Sequence, residues 1–112
     1  DVYLTGLEKL INEKVISVPK KNTGVFHSYN MFVIMVPNRS SFISHMNKNG
    51  IEVKVHYPYT IDLLTAAREK VKVNNIDNAR LYSKRIVSLP LGYHVTSKNI
   101  EFIVSTIIRY FD

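Results

Sequence analysis

Six apolar residues near the end of the chain constrain the fold most. Ile100, Ile103, Val104, Ile107, Ile108 and Phe111 fall at i, i+3, i+4, i+7, i+8 and i+11, the spacing of one continuous stripe on an α-helix. A stripe that long cannot stay exposed, so the rest of the chain has to supply a surface to receive it. Thr96 stands where the N-cap of this helix belongs.

A second segment supplies a partner. Met31-Phe32-Val33-Ile34-Met35-Val36 is apolar without a break, and with Val25 onward it predicts a central strand buried on both faces. Pro37-Asn38 ends it. Around this pair the reading is a helix over 1–13 (Leu4, Leu7, Leu10 and Ile11 inward, Asp1 as N-cap) and a cationic loop at Lys20-Lys21. A helix over Ser40–Asn49 follows, stopped by Asn49-Gly50. Ile51, Val53 and Val55 alternate with Glu52 and Lys54, which predicts a short strand. Residues 60–75 suggest a helical turn or two and an exposed connection. A helix over Ile76–Ile86, opened by Asn74 or Asn75, leads to a strand at Val87–Leu89. The expected class is α+β, an α/β sandwich: a small three-stranded sheet with helices packed on one face, in the order α-β-α-β-α-β-α.

Composition narrows the chemistry. At 112 residues the chain is one domain, since two separate cores would each be too small to stabilise themselves. There is no Cys, which removes disulfides, thiolate nucleophiles and Cys-ligated zinc. No apolar run approaches the roughly 20 residues of a membrane span, so a cytoplasmic location is expected. The chain opens on Asp1 rather than Met, which leads us to expect a longer polypeptide. Net charge is +6, compatible with an anionic partner without requiring one. The basic residues do not cluster on one element and no RNA-binding motif occurs, so nucleic acid is not favoured.

The four histidines (27, 45, 56 and 94) form no H-x-x-x-H pair and have no carboxylate at ligand spacing, so no metal site is expected. No phosphate-cradling Gly-rich loop and no nucleophile elbow is present. His56-Tyr57-Pro58-Tyr59 is the richest stretch. It lies where a strand leaves the sheet, the usual place for functional groups; the alternative is an aromatic cap over the sheet edge. His27 and Tyr29 read as half-buried aromatic packing. Arg39 reads as a structural residue able to pair with a carboxylate.

Taken in order, His27-Ser28-Tyr29, Phe32-Val33-Ile34, Arg39, Asn49-Gly50-Ile51, Val55-His56-Tyr57-Pro58, Asn78-Ala79 and Ser88-Leu89-Pro90-Leu91 form a series. With the helix after Thr96, it resembles the C-terminal part of the DegT/StrS family of sugar-nucleotide aminotransferases. These are pyridoxal-phosphate enzymes of the aspartate-aminotransferase fold. The resemblance extends over nearly the whole chain. It implies that residues 1–112 are the C-terminal small domain of a longer aminotransferase-like chain, whose large domain carries the cofactor lysine. On that reading this fragment holds no cofactor covalently, has no catalytic residue of its own and is not active alone. It implies a homodimeric parent that moves an amino group from an amino acid such as glutamate onto a keto-sugar nucleotide. His56 and Tyr57 match the family's H-Y-P motif and would be substrate-binding. The chain departs from the family at Tyr59-Thr60-Ile61-Asp62, at Ser40 after Arg39, and at Asn75-Ile76-Asp77, all around the expected pocket wall. A free-standing basic α+β module binding RNA or a protein partner is the alternative.

Overall fold

The computed structural model describes residues 2–70 and 72–112. Its elements are α1 (Val2–Gly6), α2 (Glu8–Asn12), β1 (Phe32–Met35), α3 (Arg39–Lys48), α4 (Asp77–Arg85), β2 (Ile86–Leu89) and α5 (Ser97–Phe111), with a single 3-10 turn at Ile61–Leu63. The expected cap at Asp1 lies outside the described residues.

Helix α5 forms as its stripe demands. Thr96 Oγ1 accepts from the Asn99 backbone N–H at 3.2 Å, and Asn99 Oδ1 accepts from the Thr96 N–H at 2.9 Å. This reciprocal pair satisfies amides that the first helical turn leaves open. Ile103, Val104 and Ile107 are buried, while Ile100, Ile108 and Phe111 pack against the same core from partly covered positions. Helices α1 and α3 lie against α5. Close approach of α1 depends on Gly6, where an added Cβ would sit 2.8 Å from Val104 Cγ1. The N-terminal segment is two short helices rather than the single one expected. The break falls at Leu7, which caps α2 and is itself fully buried.

The sheet differs from expectation. It has two strands, not three: β1 pairs antiparallel with β2, Phe32 opposite Leu89 and Ile34 opposite Val87. Those four side chains share one face and all are buried in the core with α5, α3 and α2. Val33 and Met35 on the other face are only half-buried, so β1 is not the doubly buried central strand predicted. The ladder, Phe32–Met35, is also shorter than the apolar run, and Tyr29, three residues ahead of it, takes a positive φ of 49°.

The missing third strand is Ile51–Val55. Its burial alternates as expected, with Ile51 and Val53 inside and Glu52 and Lys54 outside. However, the Ile51 N–H is turned back to close α3 on the Met46 carbonyl at 3.0 Å. Only Lys54 reaches β2, exchanging two backbone hydrogen bonds with Ser88 at 3.1 and 2.8 Å. Ser17 makes the corresponding single bridge to Met35 on the opposite edge. Alternation reports which side chains enter the core; it does not report whether the backbone beside them is paired.

The order is therefore α-α-β-α-α-β-α, with the 3-10 turn between α3 and α4, rather than the strict alternation expected. Helix α3 starts from Asn38, whose side chain accepts from the Ser41 N–H at 3.2 Å, and ends before Gly50 at a φ of 74°, a left-handed stop that favours glycine. Helix α4 is preceded by Ile76 with no side-chain cap, not by Asn74 or Asn75. Among the described residues no helix is long and apolar enough to cross a membrane.

Candidate functional site

His56 leaves the core-anchored segment two residues after the Lys54 bridge. Its half-buried ring meets β2 again: Nδ1 and the Ser88 hydroxyl share a 2.9 Å hydrogen bond. Ser88 thus holds this loop twice, through its backbone to Lys54 and through its side chain to His56. With Nδ1 committed to Ser88, Nε2 is the nitrogen left to meet a ligand.

The ring lines a cavity of about 690 Å³. Gly50 and Ile51 reach it from the exit of α3, His56 from the following loop, and Ser88, Leu89, Pro90 and Leu91 from the end of β2. Sequence segments far apart in the chain meet there because the β1–β2 ladder and the Lys54–Ser88 bridge bring their ends to one side. Tyr3 supports the same corner from below. Its hydroxyl donates to the Pro90 carbonyl at 2.8 Å, and burial pushes the phenol's pKa well above its ordinary value.

Tyr57 does not share this cavity. It is 71% exposed, stands edge-on to His56 with ring centroids 5.6 Å apart, and lines a neighbouring cavity of about 450 Å³ with Tyr59 and Tyr82. Asp62 borders that second cavity and pairs with Arg80 at 3.0 Å. The Thr60 hydroxyl, then the Arg80 guanidinium, hold its carboxyl below the usual carboxylate range. Residues 59–62 depart from the family pattern, and the structure puts all four on this cavity.

Other singled-out residues have structural partners. His27 lies tilted against Tyr29 with centroids 4.1 Å apart, and Tyr29 stacks on Phe32; His27 itself is exposed, unlike the half-buried packing expected. Arg39 donates to the Ser83 carbonyl rather than pairing with a carboxylate. His45 is tied by Nε2 to the Thr106 carbonyl at 3.0 Å. Among the described residues no three His, Asp or Glu side chains come together as a metal site. His94, at no recognisable spacing from any motif, also lines the larger cavity.

A covalent pyridoxal-phosphate site needs a lysine amine at the base of a pocket, with a carboxylate for the pyridine nitrogen. Every lysine of this chain is exposed. Lys54, at the larger cavity, is paired with Glu52, which is also exposed. The residues present do not compose that site.

A family model described as the DegT/DnrJ/EryC1/StrS aminotransferase family matches residues 1–108. The dTDP-3-amino-3,4,6-trideoxy-α-D-glucose transaminase of Streptomyces venezuelae is 28% identical over 94 residues, 83% of this chain and 24% of that enzyme. The structure of S. venezuelae DesV in complex with a ketimine intermediate superposes with a TM-score of 0.87 at 22% identity, over 96% of this chain and 29% of its own. A DegT DnrJ EryC1 StrS aminotransferase from Brucella abortus gives 0.82 at 21%, over 97% and 29%. At those identities the two structures establish the fold. The chain spans 24% of the length of the curated relative it matches. None of these matches supports a free-standing RNA- or protein-binding module. Matched by the family model from residue 1 to residue 108, the chain belongs to the DegT/DnrJ/EryC1/StrS aminotransferase family.

Proposed function

We propose that residues 1–112 are the C-terminal small domain of a pyridoxal-phosphate-dependent aminotransferase that acts on a keto-sugar nucleotide. The amino group comes from an amino acid such as glutamate. The observation that carries this reading is the convergence of three motif segments, Gly50-Ile51, His56 and Ser88-Leu89-Pro90-Leu91, on one cavity. Core packing alone would not gather them around open space.

In this division of labour the cofactor supplies the electron sink and is held by the large domain of the parent, which pairs with a second copy as a homodimer. This chain supplies substrate contacts. His56, oriented through Nδ1 by Ser88, presents Nε2 to the substrate, and Tyr57 offers its hydroxyl from the adjoining cavity. Both bind and orient; neither moves the reacting proton. The domain alone does not transaminate.

The test is amino transfer by the complete polypeptide from glutamate to a keto-sugar nucleotide, with His56→Ala and Tyr57→Phe. Lower turnover or weaker sugar-nucleotide affinity with unchanged thermal unfolding supports the reading. Activity that merely tracks the folded fraction in both variants assigns the two residues to packing.

A further inference from the structure

Two imidazoles border the larger cavity, and only one belongs to a motif. His94 lies between the Ser88-Leu89-Pro90-Leu91 run and the Thr96 cap, and lines the same cavity as His56 and Ser88. Its place is fixed by backbone on both sides. The Val95 N–H donates to the Gly92 carbonyl at 3.0 Å, closing a turn around His94, and the Thr96–Asn99 box anchors the next residue in α5. Tyr93 stands edge-on to the ring at 5.5 Å.

Gly92 explains the rest. A Cβ there would lie 2.8 Å from His94 Cε1 and 3.0 Å from Nδ1. The imidazole therefore rests close over the Gly92 backbone, and a Cβ there would push this exposed ring aside. His94 is exposed, and among the described residues its ring makes no side-chain hydrogen bond, so both nitrogens stay available. Pro90 and Leu91 offer apolar surface in the same cavity. An imidazole that can donate and accept, beside apolar surface, suits a polyhydroxylated ring.

We propose that His94 is a second substrate-contacting residue, meeting the sugar hydroxyls of a sugar nucleotide, and that Gly92 is a positioning residue that seats it. This rests on the function proposed above and deepens it. His56 has one nitrogen to offer and His94 has two, so His94 discriminates among sugars by their hydroxyl pattern.

The experiment uses the complete polypeptide and two probes, dTDP-glucose, which has no keto group to react, and dTDP, which lacks the sugar; the nucleotide is the one in the Streptomyces relative's name. Affinities are measured by calorimetry. The native protein binds dTDP-glucose more tightly than dTDP. His94→Ala weakens dTDP-glucose about three- to tenfold, the worth of one hydrogen bond, and leaves dTDP unchanged. His94→Gln recovers part of the loss. Gly92→Ala, which displaces the ring, lowers the sugar increment without changing dTDP binding. Equal weakening of both ligands by His94→Ala overturns the proposal, as does no weakening of either, or a native protein with no preference for the sugar. Normal amino transfer with a His94-independent sugar increment contradicts this contact alone. Absent amino transfer with a His94-dependent increment contradicts the proposed function and leaves the contact standing.

Discussion

The Ser88 hydroxyl sits 2.9 Å from His56 Nδ1, joining two motif segments through a bond between side chains 32 residues apart. Ser88→Ala removes that bond while keeping the backbone exchange with Lys54. The expected result in the complete polypeptide is a loss in kcat/KM of about 1 kcal/mol, or several-fold, with little change in unfolding temperature. In a double-mutant cycle His56→Ala and Ser88→Ala are strongly non-additive, because the serine acts through the histidine.

Tyr3 carries an alkaline limit. Burial raises its phenol pKa in the folded chain above the value of about 10 that it has when unfolded. The folded state then holds a proton that the unfolded state releases. Its contribution is complete below pH of about 10 and is lost as pH rises beyond that. Tyr3→Phe, followed by thermal unfolding between pH 8 and 11, flattens the alkaline decline. At neutral pH it costs about 1 kcal/mol, because the Pro90 carbonyl loses its donor.

Gly6 tests the α1–α5 contact. Alanine in a helix gains roughly 0.5–1 kcal/mol over glycine, but its Cβ would meet Val104 Cγ1 at 2.8 Å and Cγ2 at 3.0 Å. Valine is stiff at χ1 in a helix and cannot swing away, and overpacking costs about 1–3 kcal/mol. The clash wins, so Gly6→Ala lowers the urea midpoint. Combined with Val104→Ala, it destabilises less than the sum of the single changes.

Ile107 is fully buried. Ile107→Asp places a carboxylate there with no partner and removes more than about 4 kcal/mol, a large share of a small domain's stability. Glu101→Ser, on the exposed side of the same helix, shifts the unfolding midpoint by less than about 0.5 kcal/mol.

These residues also mark what could be read from sequence. The α5 stripe and Thr96 cap were legible because helix period and capping are local. Ile51 and Val53 were placed correctly in the core, yet the third strand was wrong, since pairing depends on the turn at Gly50 and on where the partner backbone lies. The split at Leu7 was invisible because its apolar spacing fits an unbroken helix equally well. His56 is singled out by its motif, and it lines the larger cavity. Its separation from Tyr57 into another cavity depends on where the chain turns after the Lys54 bridge, which the motif does not encode. His94 carried no spacing signal; it reaches the cavity only through the turn over Gly92.

The central claim is that this chain contributes substrate contacts to an aminotransferase whose cofactor lysine lies outside residues 1–112. The direct measurement is borohydride trapping of pyridoxal phosphate on the complete polypeptide, followed by peptide mapping of the labelled lysine. The account predicts one labelled lysine beyond this chain, no label on any lysine within it, and loss of amino transfer on labelling. A pyridoxyl label on a lysine within residues 1–112, or a complete polypeptide that takes up no cofactor, would contradict it.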